Sequence, residues 1–233
     1  MKLFFRNFLA DIYNSAAELN INNIISLISP HRAAKLIDLG CDDGEITMKI
    51  AKKLQSTDIF GIDIIEEELT KAKEKKIKTY KMDLNNKLEF NDESFDVINA
   101  NQVIEHIADV DLFVSEIKRI LKKGGYAIIS TENASSWCNI FSSIMGWQIF
   151  SLTNFSKYRN GIGNPLSLNS DSKGYSSWNH VRIWNIRGLK EYFELLGFEV
   201  IKISGAGYFP LPAVFGKFDV THSHFITYKI EKK

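Results

Sequence analysis

Five short apolar runs, each separated from the next by a helical or charged stretch, constrain this chain most. They fall at residues 34–39, 58–63, 79–82, 95–100 and 126–131. Strands covered on both faces read as continuous apolar runs, because neither face meets water. Strands alternating with helices predict an α/β fold, a mostly parallel sheet with helices on both faces. The helix before the last run places Val110, Phe113, Val114, Ile117 and Leu121 on one face. Gly124-Gly125 is expected to close that helix with a left-handed cap.

The flanks complete this plan. Residues 1–29 read as helical, with Ala17, Ile21, Ile24, Ile25 and Ile28 at helical spacing and Pro30 ending the pattern. Near the other end Leu189, Tyr192, Phe193 and Leu196 form a helical face that stops at Gly197. A strand at 198–203 follows, and 223–230 reads as a closing, edge-like strand. His222 and His224 alternate there and are expected on one exposed face, without a role. Residues 132–178 break the rhythm, with eight aromatic and five charged residues. A polar linker does not carry so many rings, so the expectation is a lid or substrate-binding insertion rather than a packing elaboration. The 233 residues suffice for one core. The organisation expected is a single domain: N-terminal helices 1–29, a core 34–131, the insertion 132–178 and a sheet-completing part 179–233.

Charge narrows the partners. Lys plus Arg is 29 and Asp plus Glu is 28, which gives no long basic track for nucleic acid. Two cysteines, Cys41 and Cys138, form no disulfide framework and no CxxC zinc pair. They point to a reducing, cytoplasmic location. No run is long enough to span a membrane. The apolar start is interrupted by Arg6 and Asp11 and lacks a small-residue cleavage site, so it is not read as a signal peptide. A surface-lying N-terminal helix that touches a membrane is the alternative to one that packs on the domain. Oligomeric state is not legible.

In an open parallel sheet, ligands bind beyond the carboxyl ends of the strands. Here those ends carry Asp38 to Gly44, Asp63-Ile64, Asp83-Leu84 and Asn99 to Gln102. The first turn has Gly40 and Gly44 but no GxGxxG, and Asp42-Asp43 stands where a pyrophosphate needs close backbone approach. Two carboxylates repel a pyrophosphate and suit a ligand with an ammonium and a sulfonium. S-adenosylmethionine is therefore favoured over a nicotinamide cofactor. Asp63 can accept hydrogen bonds from ribose hydroxyls or cap the following helix. Asp83 can meet the adenine amino group or form a turn.

Those residues sit within LIDLGCDDGEIT (36–47), FGIDI (60–64), FDVINANQVIEHI (95–107) and LKKGGYAIIST (121–131). In order and spacing these resemble the successive motifs of class I S-adenosylmethionine-dependent methyltransferases. The resemblance implies a Rossmann-like seven-stranded sheet with an antiparallel last strand. It implies Asp38, Gly40 and Cys41 at the methionine end, Asp63 and Ile64 at ribose and adenine, and Asp83 and Leu84 at the adenine edge. Asn99, Asn101 and Gln102 would pass below the methyl group. Asp42 stands where many members have glycine, so its contact is left open. His180 to Trp184 and the following helix are similar to the C-terminal part of methyltransferases of the ubiquinone-biosynthesis type.

Methyl transfer is an in-line displacement in which the cofactor supplies the reactivity and the protein aligns the nucleophile. For a hydroxyl acceptor a side chain can also remove the proton. Glu105 and His106, opening the helix after the fourth strand, and the distant His180 are the candidate catalytic groups. Gln102, Glu105 and His106 fall within about one turn and could face one spot. A similar Glu-x-x-Glu-His set with a distant His binds a divalent metal in small-RNA 2′-O-methyltransferases, and a related one occurs in quinone-ring O-methyltransferases. The neutral Gln102 replaces the first carboxylate here, so no metal is expected. The reading is methyl transfer to oxygen or nitrogen of a small-molecule, sugar or lipid-linked acceptor. Its rivals are an RNA or protein acceptor, a catalytically silent cofactor-binding module, and a nicotinamide-dependent oxidoreductase.

Overall fold

The computed structural model describes residues 2–167 and 179–232. Within them the apolar runs become β1 (Lys35–Leu39), β2 (Asp58–Asp63), β3 (Lys78–Lys81), β4 (Phe95–Asn101) and β5 (Leu121–Glu132). The first four pairings are parallel. The later strands are β6 (Phe198–Ala206) and β7 (Phe225–Lys232). The sheet order is β3-β2-β1-β4-β5-β7-β6, with β7 antiparallel to both neighbours. This is the seven-stranded, Rossmann-like plan with an antiparallel last strand.

Six α-helices accompany these strands among the described residues: α1 (Lys2–Ser26), α2 (Glu45–Leu54), α3 (Glu66–Glu74), α4 (Val110–Ile120), α5 (Trp137–Ile144) and α6 (Ile186–Leu195). Alternation along β1 sends Leu36 to the face packed by α1 and α2, with Ile24, Ile50 and Leu54. It sends Ile37 and Leu39 to the opposite face, with Phe113, Ile117 and Phe193 of α4 and α6. Asp109 caps α4 by accepting from Leu112 N at 3.0 Å, worth about 1 kcal/mol.

Three expectations are corrected. Gly124-Gly125 does not cap α4. The helix stops at Ile120, and Leu121 already pairs with Phe95 across a bulge. Gly124 takes a left-handed φ of 73° within the strand, and a Cβ on Gly125 would lie 2.8 Å from Asp96 O. Second, β7 is not an edge. It lies between β5 and β6 with Phe225, Ile226, Thr227 and Tyr228 buried. Third, His224 is buried rather than exposed, with Nδ1 3.2 Å from Cys138 Sγ. His222 pairs with Asp219 at 2.8 Å.

Candidate active site

The turn after β1 is built by left-handed residues. Gly40, Asp42 and Gly44 have φ of 77°, 48° and 80°. A Cβ on Gly40 would meet Val103 Cγ2 at 2.5 Å, and one on Gly44 would meet Ile77 Cδ1. Asp tolerates this region better than most side chains, which explains how a non-glycine residue serves in this turn. The turn leads into α2, whose first-turn Glu45 pairs with Lys49 at 2.8 Å.

Beneath the turn, register aligns Asp38 with Asn99. Asp38 is buried and accepts from Asn99 Nδ2 at 2.7 Å and from the Thr47 hydroxyl. Burial pushes its carboxyl up to about 7, against those two hydrogen bonds. Asp38 therefore ties β1 to α2 and β4 as well as bordering the cavity. Asn99 Oδ1 is buried without a partner. Burial also raises the Cys41 thiol, with Asp38 and Asp63 adding to it.

Asp63 ends β2. Its Oδ2 accepts from Asp42 N at 2.9 Å and its Oδ1 from Ile65 N at 3.0 Å. The α3 N-cap is Ile65, so Asp63 is not that helix's cap. Asp83 forms a turn, accepting from Asn85 N and Nδ2 at 2.9 Å each.

All eleven residues expected at the cofactor, Asp38, Gly40, Cys41, Asp42, Asp63, Ile64, Asp83, Leu84, Asn99, Asn101 and Gln102, border one cavity of about 670 Å³. That volume lies in the range of small-molecule sites. Seven carboxylates border it against a single lysine, Lys49, which is itself paired. Burial raises the Asp42 carboxyl, and Glu68, Asp43 and Asp63 raise it further. Asp43 and Glu68 are ion-paired from outside the cavity, with Lys75 at 2.7 Å and Lys71 at 2.9 Å, and the lining as a whole is acidic.

The catalytic candidates separate. Residues 104–106 form a turn, not the start of a helix; α4 begins only at Val110. Gln102 takes a left-handed φ of 57°. It borders the cavity, as does His106. Glu105 does not. It is fully buried and accepts from the Thr131 hydroxyl at 2.9 Å, while Oε1 has no partner. The expectation that Gln102, Glu105 and His106 face one spot is thus corrected, because an irregular turn replaces the helix. Burial raises Glu105 to about 8, with the Glu132 carboxylate adding to it.

His180 packs on His106, ring centroids 4.7 Å apart. The His106 Nδ1–H donates to Asn179 O at 3.1 Å and the His180 Nδ1–H to Ser151 O at 2.6 Å. A carbonyl only accepts, so both Nε2 atoms keep lone pairs. Burial lowers His106 to about 4, with His180 adding to it, and burial lowers His180 too. Ligand atoms of Glu105, His106 and His180 lie within 4.8 Å of one another, the one such group among the described residues. Two imidazoles and a carboxylate fit a divalent cation in number and kind.

Sequence reasoning found the N-terminal helix but missed that α1 reaches the site. Ile21 borders the cavity, and Asn20 Nδ2 donates to Asn101 Oδ1 at 3.0 Å while Asn20 Oδ1 accepts from Ser130 and Thr227. One Asn among several in this helix gives no local signal for a partner 81 residues away. No described residue of the insertion borders the large cavity. The insertion instead closes a small apolar cavity with α1, bordered by Tyr13, Phe150, Leu166 and His224.

Residues 30–182 match the family model described as a methyltransferase domain. The chain belongs to the methyltransferase-domain family. This methyltransferase is 33% identical over 116 residues to an uncharacterized methyltransferase of Schizosaccharomyces pombe, covering 45% of the chain and 42% of that relative. It is 25% identical over 145 residues to the ubiquinone biosynthesis O-methyltransferase of Aliivibrio fischeri, covering 58% and 59%. The match thus spans about half the length of these curated relatives. The fold of a Mesorhizobium loti S-adenosylmethionine-dependent methyltransferase superposes with TM-score 0.62 at 15% identity, covering 95% of this chain and 100% of that one. A Thermotoga maritima structure described as a possible histamine N-methyltransferase gives 0.62 at 19%, covering 98% of each.

Proposed function

We infer that this methyltransferase moves a methyl group from S-adenosylmethionine to an oxygen or nitrogen of a small-molecule, sugar or lipid-linked acceptor, with a hydroxyl oxygen preferred. The acidic cavity carries the reading: seven carboxylates around it fit a sulfonium and an ammonium and repel the pyrophosphate of a nicotinamide cofactor. They also repel a phosphate backbone, which disfavours RNA. S-adenosylmethionine would supply an electrophilic methyl carbon. Asp63 would hold the ribose, Asp83 and Leu84 the adenine edge, and Gly40 to Asp42 the methionine end.

Oxygen is preferred because His106 borders the cavity and is uncharged near neutrality. A free Nε2 lone pair can take the proton that a hydroxyl loses as it is methylated. Among the relatives, the name ubiquinone biosynthesis O-methyltransferase supports the same preference. Calorimetry with S-adenosylmethionine and with NAD tests the cofactor. Transfer of labelled methyl to phenols, sugars and amines tests the acceptor. Binding of NAD in preference to S-adenosylmethionine would sink the proposal.

A second reading gives Glu105, His106 and His180 to a divalent cation, favoured by the unpartnered Glu105 Oε1. The metal would then orient the acceptor oxygen.

A further inference from the structure

Beyond the cofactor cavity, one surface is unlike the rest of the molecule. On α5 and its C-cap, Phe141, Ile144 and Met145 are exposed, Ile144 by 77%. On the β6–β7 connection, Leu211, Phe215 and Phe218 are exposed, Phe218 by 83%. Ring contacts join the two segments. Phe141 lies 6.3 Å from Phe209, Trp137 lies 6.4 Å from Tyr208, and Tyr208 lies 6.2 Å from Phe215. The early part of α1 reaches the same place, since Leu9 shares a cavity with Tyr208 and Phe209; its neighbour Phe8 is exposed. Isolated exposed apolar residues need no explanation, but a contiguous set on three elements does.

Charge on these segments is mostly basic. The start of α1, α5 and the β6–β7 connection carry Lys2, Arg6 and Lys217 against one acidic residue, Asp219, although the whole chain is close to balance. Trp137 and Tyr208 add rings with polar ends. Trp137 stacks on His222 at 4.7 Å, and the Tyr208 hydroxyl donates to Asp219 at 2.7 Å. Apolar tips, amphipathic rings and an excess of basic charge are what an anionic lipid interface requires. A second copy of the chain would bring the same basic segments face to face, which opposes a two-fold contact.

We propose that α5, the β6–β7 connection and the start of α1 form a docking face for an anionic lipid bilayer. The face lies at the carboxyl ends of β5 and β6, the same end of the sheet as the cofactor cavity. Docking therefore brings the active end to the bilayer. It moves the contact beyond the N-terminal helix alone to three elements, and it stands whatever the acceptor is. No described helix is long and apolar enough to cross a membrane, so the attachment is peripheral.

The test is flotation of the full chain with vesicles of phosphatidylglycerol and phosphatidylcholine in equal parts, and with phosphatidylcholine alone. The chain is expected to float with the first and weakly with the second. The double substitution Ile144→Glu, Phe218→Glu is expected to weaken vesicle binding by at least about tenfold. Both side chains are exposed, so thermal unfolding and S-adenosylmethionine affinity should stay unchanged and report that the variant is folded. Lys217→Glu is expected to reduce the preference for the anionic vesicle. Three results would overturn the inference: no binding to either vesicle, equal binding by wild type and the double variant, or a solution dimer that the double substitution dissociates while vesicles stay bare.

Discussion

The backbone N–H of Asp42 donates to Asp63 Oδ2 at 2.9 Å, so one carboxylate at the end of β2 fixes the turn that follows β1. The second oxygen of Asp63 takes the N–H of Ile65. The carboxylate is thereby oriented with its remaining lone pairs available at the cavity. Turn geometry and the ribose contact proposed for Asp63 are coupled through this single side chain.

Asp63→Ala is expected to weaken S-adenosylmethionine binding by about 1.5–3 kcal/mol, the range for hydrogen bonds to a charged group. That is roughly tenfold to somewhat over a hundredfold in Kd. Asp63→Asn, which keeps one acceptor oxygen, should fall between. Calorimetric titration of both variants checks this. Unchanged affinity would confine Asp63 to shaping the turn.

Gly40→Ala should lose both stability and cofactor affinity. The residue holds φ of 77°, and its Cβ would sit 2.5 Å from Val103 Cγ2. Strain and overpacking together cost about 1–3 kcal/mol. Adding Val103→Ala removes the clash but not the left-handed backbone. The double variant should therefore recover only part of the loss in chemical denaturation. Full recovery would show that the backbone conformation carries no cost.

Proton linkage at Asp38 has a definite sign. Its folded carboxyl is raised to about 7 from 3.8, so the folded state holds more protons than the unfolded one between those values. This group's contribution to stability therefore falls as pH rises from about 4 towards 7. Glu105, raised to about 8, acts in the same direction. A cation in the cavity favours the ionised Asp38, so S-adenosylmethionine should bind more tightly as pH rises through that window and release protons as it binds. Calorimetry near pH 6 in buffers of different ionisation enthalpy measures the release. The absence of any buffer dependence would contradict it.

Much of the fold was legible because parallel strands announce themselves as apolar runs ending in polar residues. The Asp38, Asp63 and Asp83 register follows directly from that pattern. Local periodicity failed where long-range pairing decided the structure. Leu121 continues the apolar face of α4 yet pairs with Phe95. The β7 strand alternates like an edge but is enclosed by β5 and β6. The Asn20 contact with Asn101 and the inward turn of Glu105 likewise depend on tertiary neighbours. Residues 168–178 of the expected insertion lie outside the described residues.

His106 separates the two chemical readings. As a general base it should contribute about 10²- to 10⁴-fold to kcat, so His106→Ala should lower kcat by that factor and leave S-adenosylmethionine affinity nearly unchanged. Because burial holds the imidazole at about 4, the base form is present throughout the neutral range. The rate should then show no acidic limb near 6.5 and should fall only below about pH 5. A chelator distinguishes the alternatives. An unchanged rate in EDTA assigns His106 to proton removal. A loss of rate restored by a divalent ion assigns His106, with Glu105 and His180, to the metal. In that case Glu105→Gln should weaken ion binding, because it removes the one carboxylate of the set.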